Sequence, residues 1–201
     1  MQPRSPARES RGDQTRRRIF ESAEKIFGRD GYHNASISEI MQTAQLGLGT
    51  FYLYFASKLE VFTFVLQTRR AQWTEETRRA AEEEADKRIG ARRALATYFG
   101  WIAERPALLR MFREAEGVDR ALARTLYLEP ARACAVRAAE AMDAGVIDRA
   151  DPDVVAWYVL GVAEFAVLGS ISWHHDAERL DAFVDIVAQT LGLPSELEHA
   201  S

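Results

Sequence analysis

The sequence has little of what most enzymes and metalloproteins use for chemistry. Cys134 is the only cysteine and there are four histidines in 201 residues, so an intrachain disulfide is excluded. The metal-binding spacings His-x-x-x-His and Cys-x-x-Cys are missing, no glycine-rich phosphate loop follows a strand pattern, and no histidine stands beside a nucleophile in a recognisable spacing. We therefore predict a protein that is not an enzyme, with no catalytic residues, no metal site and no cofactor.

The sequence also lacks the strict alternation of apolar and polar residues that predicts half-buried β-strands. Apolar residues recur instead every three to four positions, which is the spacing of one helix face. Hydrophobic residues make up 47% of the chain, enough for a sizeable core. These patterns predict an all-α protein of nine helices, and the length allows one large or two small domains.

The longest weakly charged run is Val154–Trp173, twenty residues with Glu164 as the single charge. Its length suits a bilayer span, but the central glutamate, the small residues Gly161 and Gly169, and the lack of a basic flank favour a helix buried among other helices. An unpaired buried carboxylate is costly, so Glu164 needs a partner. Three interpretations of it remain open: a hydrogen-bonded core acid, a ligand anchor or a dimer contact.

Charge is unevenly distributed along the chain. Residues 1–60 hold nine Lys/Arg against seven Asp/Glu, and the remainder holds seventeen against twenty-three, for a net charge of −4. A nucleic-acid-binding head on an acidic body fits this distribution. The charge distribution by itself is only a weak indication of nucleic-acid binding.

Residues 36–58 contain two capping boxes. In the first, Ser36 precedes Glu39 at the start of a short helix, and in the second Ser57 precedes Glu60 at the start of a longer one. Gly47 frees the backbone between them, where a further short helix begins. Two short helices joined by a tight turn and followed by a capped helix predict a helix-turn-helix.

The aromatic residues of the second short helix divide between two faces. Phe51 and Phe55 are four positions apart and share one face, which we expect to be the core face. Tyr52 and Tyr54 are two positions apart and point about 200° away from each other, so one helix face cannot bury both. Core packing is the alternative for each tyrosine, but the hydroxyls of Thr50 and Tyr54 are better placed as DNA contacts.

The first sixty residues resemble the tetracycline-repressor (TetR, AcrR-like) family in order and spacing. The matching residues are Thr15–Phe27, Gly31–Tyr32, Ala44, Gly49–Phe55 and Ser57–Lys58. The resemblance implies a dimeric all-α regulator with an N-terminal DNA-binding domain and a larger C-terminal domain for ligand binding and dimerisation. Family members often carry glycine at Gln45, serine at Gly47 and lysine at Leu48, which concerns the operator sequence rather than the fold.

The resemblance also implies which residues bind DNA. Tyr52, Tyr54 and Lys58 would contact backbone phosphates, while Leu48 and Leu53 would offer apolar contact, for example to a thymine methyl group. With so few hydrogen-bonding side chains facing the bases, reading of DNA shape is expected to contribute. The full expected set is Ser36, Leu48, Gly49, Thr50, Tyr52, Leu53, Tyr54 and Lys58.

For the C-terminal domain the resemblance implies a pocket built from the fifth, seventh and eighth helices. The pocket residues expected on these helices are Phe99, Trp101, Tyr127, Trp157 and Glu164. The small residues of the apolar run and the apolar stripe of the last helix predict a four-helix dimer interface. Its expected members are Gly161, Phe165, Leu168, Gly169, Phe183, Val187 and Leu191.

The resemblance, taken with these patterns, implies a cytoplasmic, ligand-responsive repressor that binds a palindromic operator as a homodimer and is released by a small, largely apolar molecule. The expected partners are double-stranded DNA, an effector and a second copy, with no membrane. The expected divisions are a disordered basic arm at 1–12, the helix-turn-helix domain at 13–58 and the C-terminal domain at 59–201. The alternative is a small-molecule-binding helical protein or enzyme with a degenerate DNA-binding head.

Overall fold

The computed structural model describes residues 10–169 and 178–194. Within these ranges the chain forms nine α-helices and no β-strand, so the all-α prediction is confirmed. The helices are α1 Arg11–Asn34, α2 Ile37–Thr43, α3 Leu48–Phe51, α4 Lys58–Glu82, α5 Lys87–Ala103, α6 Pro106–Val118, α7 Arg120–Asp143, α8 Pro152–Val167 and α9 Glu178–Thr190.

The chain divides into two compact units between Gln67 and Thr68, inside α4. The boundary predicted from the sequence lies after residue 58, at the start of this helix. The first turns of α4 belong to the first unit because Val61, Phe62 and Val65 are fully buried. α4 is therefore one continuous helix that contributes residues to both units.

The start of α1 differs from the sequence prediction. Ser10 is its N-cap, and the Asp13 amide donates a 3.1 Å hydrogen bond to the Ser10 hydroxyl. Ser10, Arg11 and Gly12 therefore initiate a helix, although they were expected in the disordered arm. The remainder of that expected arm, residues 1–9, lies outside the described residues.

The N-terminal unit has an aromatic core. The Phe27 ring lies 5.0 Å from the Phe62 ring in an edge-to-face arrangement, and the Phe51 ring lies 5.8 Å from the Phe55 ring. All four side chains are at most 2% exposed. Such ring pairs stabilise beyond the area they bury, and the Phe27–Phe62 pair joins α1 to the start of α4.

Three helices end in the same backbone motif. At the ends of α2, α7 and α9, the two residues after the cap donate N–H groups to carbonyls three and five positions back, the pattern of a Schellman motif. The first of those two residues has positive φ in each case: Gln45 at 55°, Gly145 at 69° and Gly192 at 73°. Only the turn between α2 and α3 places a side-chain-bearing residue in this conformation.

In the C-terminal unit, α4 and α5 approach each other closely at Gly90. α4 ends at Glu82, and Gly90 lies inside α5, where a Cβ would stand 2.4 Å from the Ala81 carbonyl oxygen. Only glycine permits this close approach of the two helices. α5 is also joined to α9, because the buried Arg92 forms a 2.5 Å ion pair with Asp185.

The long apolar run begins in α8, which has sixteen residues, and continues beyond the described part of the chain. None of the helices in the described ranges combines enough length with enough apolar character to span a bilayer.

Candidate helix-turn-helix surface and ligand cavity

The helix-turn-helix begins with the predicted capping box. The Ser36 hydroxyl accepts a 3.2 Å hydrogen bond from the Glu39 amide and donates a 2.8 Å hydrogen bond to the Glu39 carboxylate. Both groups are partly buried. Ser36 therefore fixes the start of α2, and any DNA contact it makes must use its remaining lone pair.

α3 buries one face and exposes the other. Phe51 is fully buried and Phe55 is 2% exposed, which confirms the core face expected from their spacing. Leu48, Tyr52 and Leu53 are 51%, 60% and 80% exposed, a large apolar exposure for one short segment. Exposed apolar groups that cluster in this way mark an interaction surface.

The other expected contacts of this segment are less exposed. Thr50 and Tyr54 are half-buried, while Gly49 is exposed. A Cβ at Gly12 would stand 3.8 Å from the Tyr54 hydroxyl oxygen, so this tyrosine lies beside the first turn of α1. The hydroxyls of Thr50 and Tyr54 are both predicted from the sequence as DNA contacts, and both residues are partly accessible.

Lys58 has a different position from the one expected of a phosphate contact. Its ammonium donates to three backbone carbonyls, those of Tyr32 at 2.8 Å, Ala35 at 2.9 Å and His33 at 3.3 Å. It also lies 4.5 Å from the centre of the Tyr32 ring. An ammonium has three N–H donors, and the carbonyls at the end of α1 use all of them.

Other basic side chains of this unit also hold the fold together. Arg18 donates a 2.5 Å hydrogen bond to the Ala44 carbonyl, which supports the turn between α2 and α3. Arg16 lies 4.2 Å from the centre of the Phe64 ring. In the sequence, these two arginines add to the positive charge that would attract DNA. In the folded chain, their guanidinium groups instead contact residues that are distant in sequence.

The C-terminal unit contains a cavity of about 270 Å³. Its wall is formed by α4, α5, α6, α7 and α8 and is almost entirely apolar, with six aromatic side chains. These are Trp73, Tyr98, Trp101, Phe112, Tyr127 and Trp157. An apolar cavity with few polar groups is the usual form of a small-molecule site.

Four of the five expected pocket residues line this cavity: Trp101, Tyr127, Trp157 and Glu164. Phe99 lines none of the cavities described here and is 1% exposed, since it faces the core on the other side of α5. Three of the six aromatic lining residues were not predicted: Trp73, Tyr98 and Phe112. The residues around Trp73 are mostly polar, so the sequence does not indicate that this side chain lines a cavity.

Two charged residues stand at the cavity wall. The Arg105 guanidinium lies 4.5 Å from the centre of the Trp101 ring and keeps 36% of its side chain exposed. Glu164 is 3.8 Å from the Arg113 guanidinium, so its charge has a partner. Burial and the nearby Glu164 carboxylate raise the pKa of Tyr127, and burial raises that of Tyr98. Both phenols stay protonated at neutral pH.

The expected dimer residues separate into two groups. Phe165 is 71% exposed, and Leu168, Gly169 and Phe183 are partly accessible. Val187 and Leu191, however, are 0% and 9% exposed inside their own protomer. Gly161 lines the cavity. Ile186 is an exposed large apolar residue of α9, at 57% exposure, and it was not among the predicted interface residues.

Among residues 10–169 and 178–194, no group of three or more His, Cys, Asp or Glu side chains is close enough together to hold a metal ion.

Comparison with known proteins agrees with this geometry. Residues 19–63 match the model of the bacterial regulatory proteins of the tetR family. The fold matches the fatty acid degradation regulator FadR of Bacillus halodurans, with a TM-score of 0.75 and 19% identity over 94% of this chain and 96% of that one. Residues 19–63 are thus the part of the chain that matches the TetR family, and they include α2 and α3.

Two further proteins are similar to parts or most of this chain. The transcriptional activator FasR of Mycolicibacterium smegmatis is 31% identical over 90 residues, 45% of this chain and 41% of that protein. FadR of Bacillus subtilis, solved in complex with stearoyl-CoA, has a TM-score of 0.71 and 17% identity over 87% of this chain and 96% of that one. The chain aligns with less than half the length of the curated relatives it matches.

Proposed function

We propose that this protein is a ligand-responsive transcriptional regulator that binds a palindromic operator as a homodimer. The observation that carries the proposal is the exposed surface of α3 and the turn after it. Leu48, Tyr52 and Leu53 project from this segment, while Phe51 and Phe55 fix its other side in the core. A helix-turn-helix places such a surface in the major groove.

The proposed DNA contacts follow from the chemistry of this surface. The Tyr52 hydroxyl suits a phosphate oxygen, and Leu48 and Leu53 suit thymine methyl groups. Gly49 permits close approach of the backbone. Thr50, Tyr54 and the free lone pair of Ser36 are secondary candidates. Lys58 is excluded from the set because its donors are already engaged.

The proposed effector is a molecule with an extended apolar part, such as an acyl chain. The almost wholly apolar cavity wall supports this assignment. The partly exposed guanidinium of Arg105 pairs with Glu104 at 3.1 Å through one nitrogen, and its other N–H groups suit an anionic head group. Relatives named as fatty acid regulators, one of them in complex with stearoyl-CoA, belong to the same fold.

We infer that α4 couples the two functions. It starts at Lys58 in the first unit and carries Trp73 at the cavity wall in the second. A ligand that changes the position of this helix would change the spacing of the two recognition helices in a dimer and release the operator. We propose repression by the unliganded dimer. Activation is the alternative, since one relative is named as an activator.

The proposed dimer surface is an apolar stripe on α8 with the neighbouring outer side of α9. The exposed members of the stripe are Val154, Trp157 and Phe165, all at helical spacing, and Ile186 is the exposed residue of α9. α8 and α9 are joined by a 3.4 Å contact between the Tyr158 and Thr190 hydroxyls. An isologous four-helix interface would cover these side chains.

The test is a gel shift with the DNA upstream of the protein's own gene. We expect a specific protein–DNA complex that dissociates when acyl-CoA is added. Leu53→Asp should lower the affinity for this DNA at least tenfold. The exposed control Val136→Asp on α7 should bind as the wild type does. A protein that binds acyl-CoA but no DNA fragment would instead support the small-molecule-binding alternative. A reporter assay then separates repression from activation.

A further inference from the structure

The aromatic cavity adjoins a second, smaller one in the same unit. This second cavity has a volume of about 120 Å³ and lies between α4, α5, α7 and α8. Four residues belong to the walls of both cavities: Trp73, Tyr98, Pro130 and Leu160. These shared residues form a partition between the two spaces.

Stacked aromatic rings form part of this partition. The Trp73 and Tyr98 rings are nearly parallel, with their centres 4.6 Å apart, and Trp101 continues the stack at 6.0 Å. The Trp73 indole nitrogen is buried and has no hydrogen-bond partner. Packing alone therefore holds this ring in place, and an aromatic ring without an N–H group would serve equally well there.

We propose that Trp73 is the specificity-determining residue that sets the chain length of the effector. This inference rests on the proposed acyl-chain effector. A methylene group takes roughly the volume that one water molecule takes in the liquid, about 30 Å³. The first cavity, at about 270 Å³, then holds roughly nine methylenes, and the second adds roughly four. Medium-chain acyl compounds are the class that fits while the partition stands.

The limit on chain length can be measured from the dependence of binding affinity on the number of methylene groups. Each methylene that enters an apolar cavity increases affinity about fourfold, and a methylene left in water adds nothing. A plot of log affinity against chain length should therefore rise and then flatten where the partition stops the chain. The chain length at the break reports the depth of the cavity and does not depend on the head group.

The experiment measures binding of a saturated acyl-CoA series, from four to eighteen carbons, to the full chain by calorimetry. For the wild type we expect a break at about nine carbons. Trp73→Ala removes the partition and should move the break to about thirteen carbons, with a gain on the order of a hundredfold between those lengths. Trp73→Phe should keep the break of the wild type, because the indole N–H is not used.

Trp157→Ala is the matched control. Trp157 lines the first cavity and not the second, so its loss should lower affinity at every length and leave the break in place. Acyl probes with a terminal diazirine provide a readout of position. A long probe should label Thr77 or Cys134, which line only the second of these cavities, in Trp73→Ala and not in the wild type.

Three results would overturn the inference: a wild-type affinity that rises steadily to eighteen carbons, a break at the same length in Trp73→Ala, or no binding of any acyl-CoA. Melting curves would establish that each variant is folded, and Trp73→Leu would replace an unfolded Trp73→Ala. None of these measurements uses DNA. A protein with the expected break but no operator binding would thus contradict the proposed regulator and leave the role of Trp73 intact.

Discussion

Single side chains in the N-terminal unit serve the fold where their charge suggests a role in DNA binding. Lys58 shows this best, since its position next to the recognition helix and the family resemblance both predict a phosphate contact. Its ammonium instead closes the end of α1 through three carbonyls. Charge-assisted hydrogen bonds of this kind are about twice as strong as neutral ones.

Lys58→Met should therefore destabilise the protein. We expect a loss of about 2 kcal/mol in the free energy of unfolding, because partly buried carbonyls lose their donor. The exposed Lys25 on α1 provides the control, and Lys25→Met should change stability by less than about 0.5 kcal/mol. Urea unfolding measures both. An unchanged stability, together with a salt slope of operator binding reduced by about one, would restore the phosphate role.

At the scale of elements, the turn after α2 departs from the rule that the other two Schellman ends follow. Gln45 has φ of 55°, where α7 and α9 have Gly145 and Gly192. A side chain in this left-handed conformation costs roughly 1–2 kcal/mol. The Arg18 guanidinium, which donates to the Ala44 carbonyl, compensates part of this cost.

Gln45→Gly should raise the free energy of unfolding by about 0.5–1 kcal/mol, since glycine removes the strain but adds entropy to the unfolded chain. Gly145→Ala is the reciprocal control. No atom lies within 4 Å of a Cβ placed there, so its expected loss of about 1 kcal/mol would come from the backbone conformation alone. Thermal unfolding compares the two variants. A destabilised Gln45→Gly would mean that the glutamine side chain contributes more than its backbone costs.

The elements also show where periodicity reaches its limit. The spacing of Leu180, Phe183, Val187 and Leu191 predicts an apolar stripe on the last helix. Leu180, Val187 and Leu191 face the core of their own protomer and are at most 9% exposed, while Phe183 is partly accessible. Periodicity identifies a buried face without saying what covers it, and a helix between a core and a dimer partner has two such faces.

At the scale of the whole molecule, the exposed apolar side chains of α8 and α9 predict assembly. Phe165→Glu and Ile186→Glu place charge on surfaces that are 71% and 57% exposed in the protomer. We expect each to give a folded monomer by light scattering, with weaker binding to a two-half-site operator. Val136→Glu, on a side chain of α7 that is 59% exposed, should remain a dimer. Dimers of both α8 and α9 variants would place the interface elsewhere.

The sequence by itself determined the helical class, the capping boxes and the core face of α3. Each of these depends on residues within one or two helical turns of each other, for which spacing alone fixes the geometry. It also carried the resemblance of the N-terminal unit to the TetR family, because about fifty consecutive residues match the family in order and spacing.

Only the tertiary structure decided the roles of Lys58, Trp73 and Val187. Lys58 meets carbonyls more than twenty positions away, Trp73 stacks on a ring from another helix, and Val187 fills a core that several helices share. Contacts between distant parts of the chain depend on how the helices pack, and local spacing carries no information about them. The partition between the two cavities exists for the same reason, because only packing brings α4 and α5 together there.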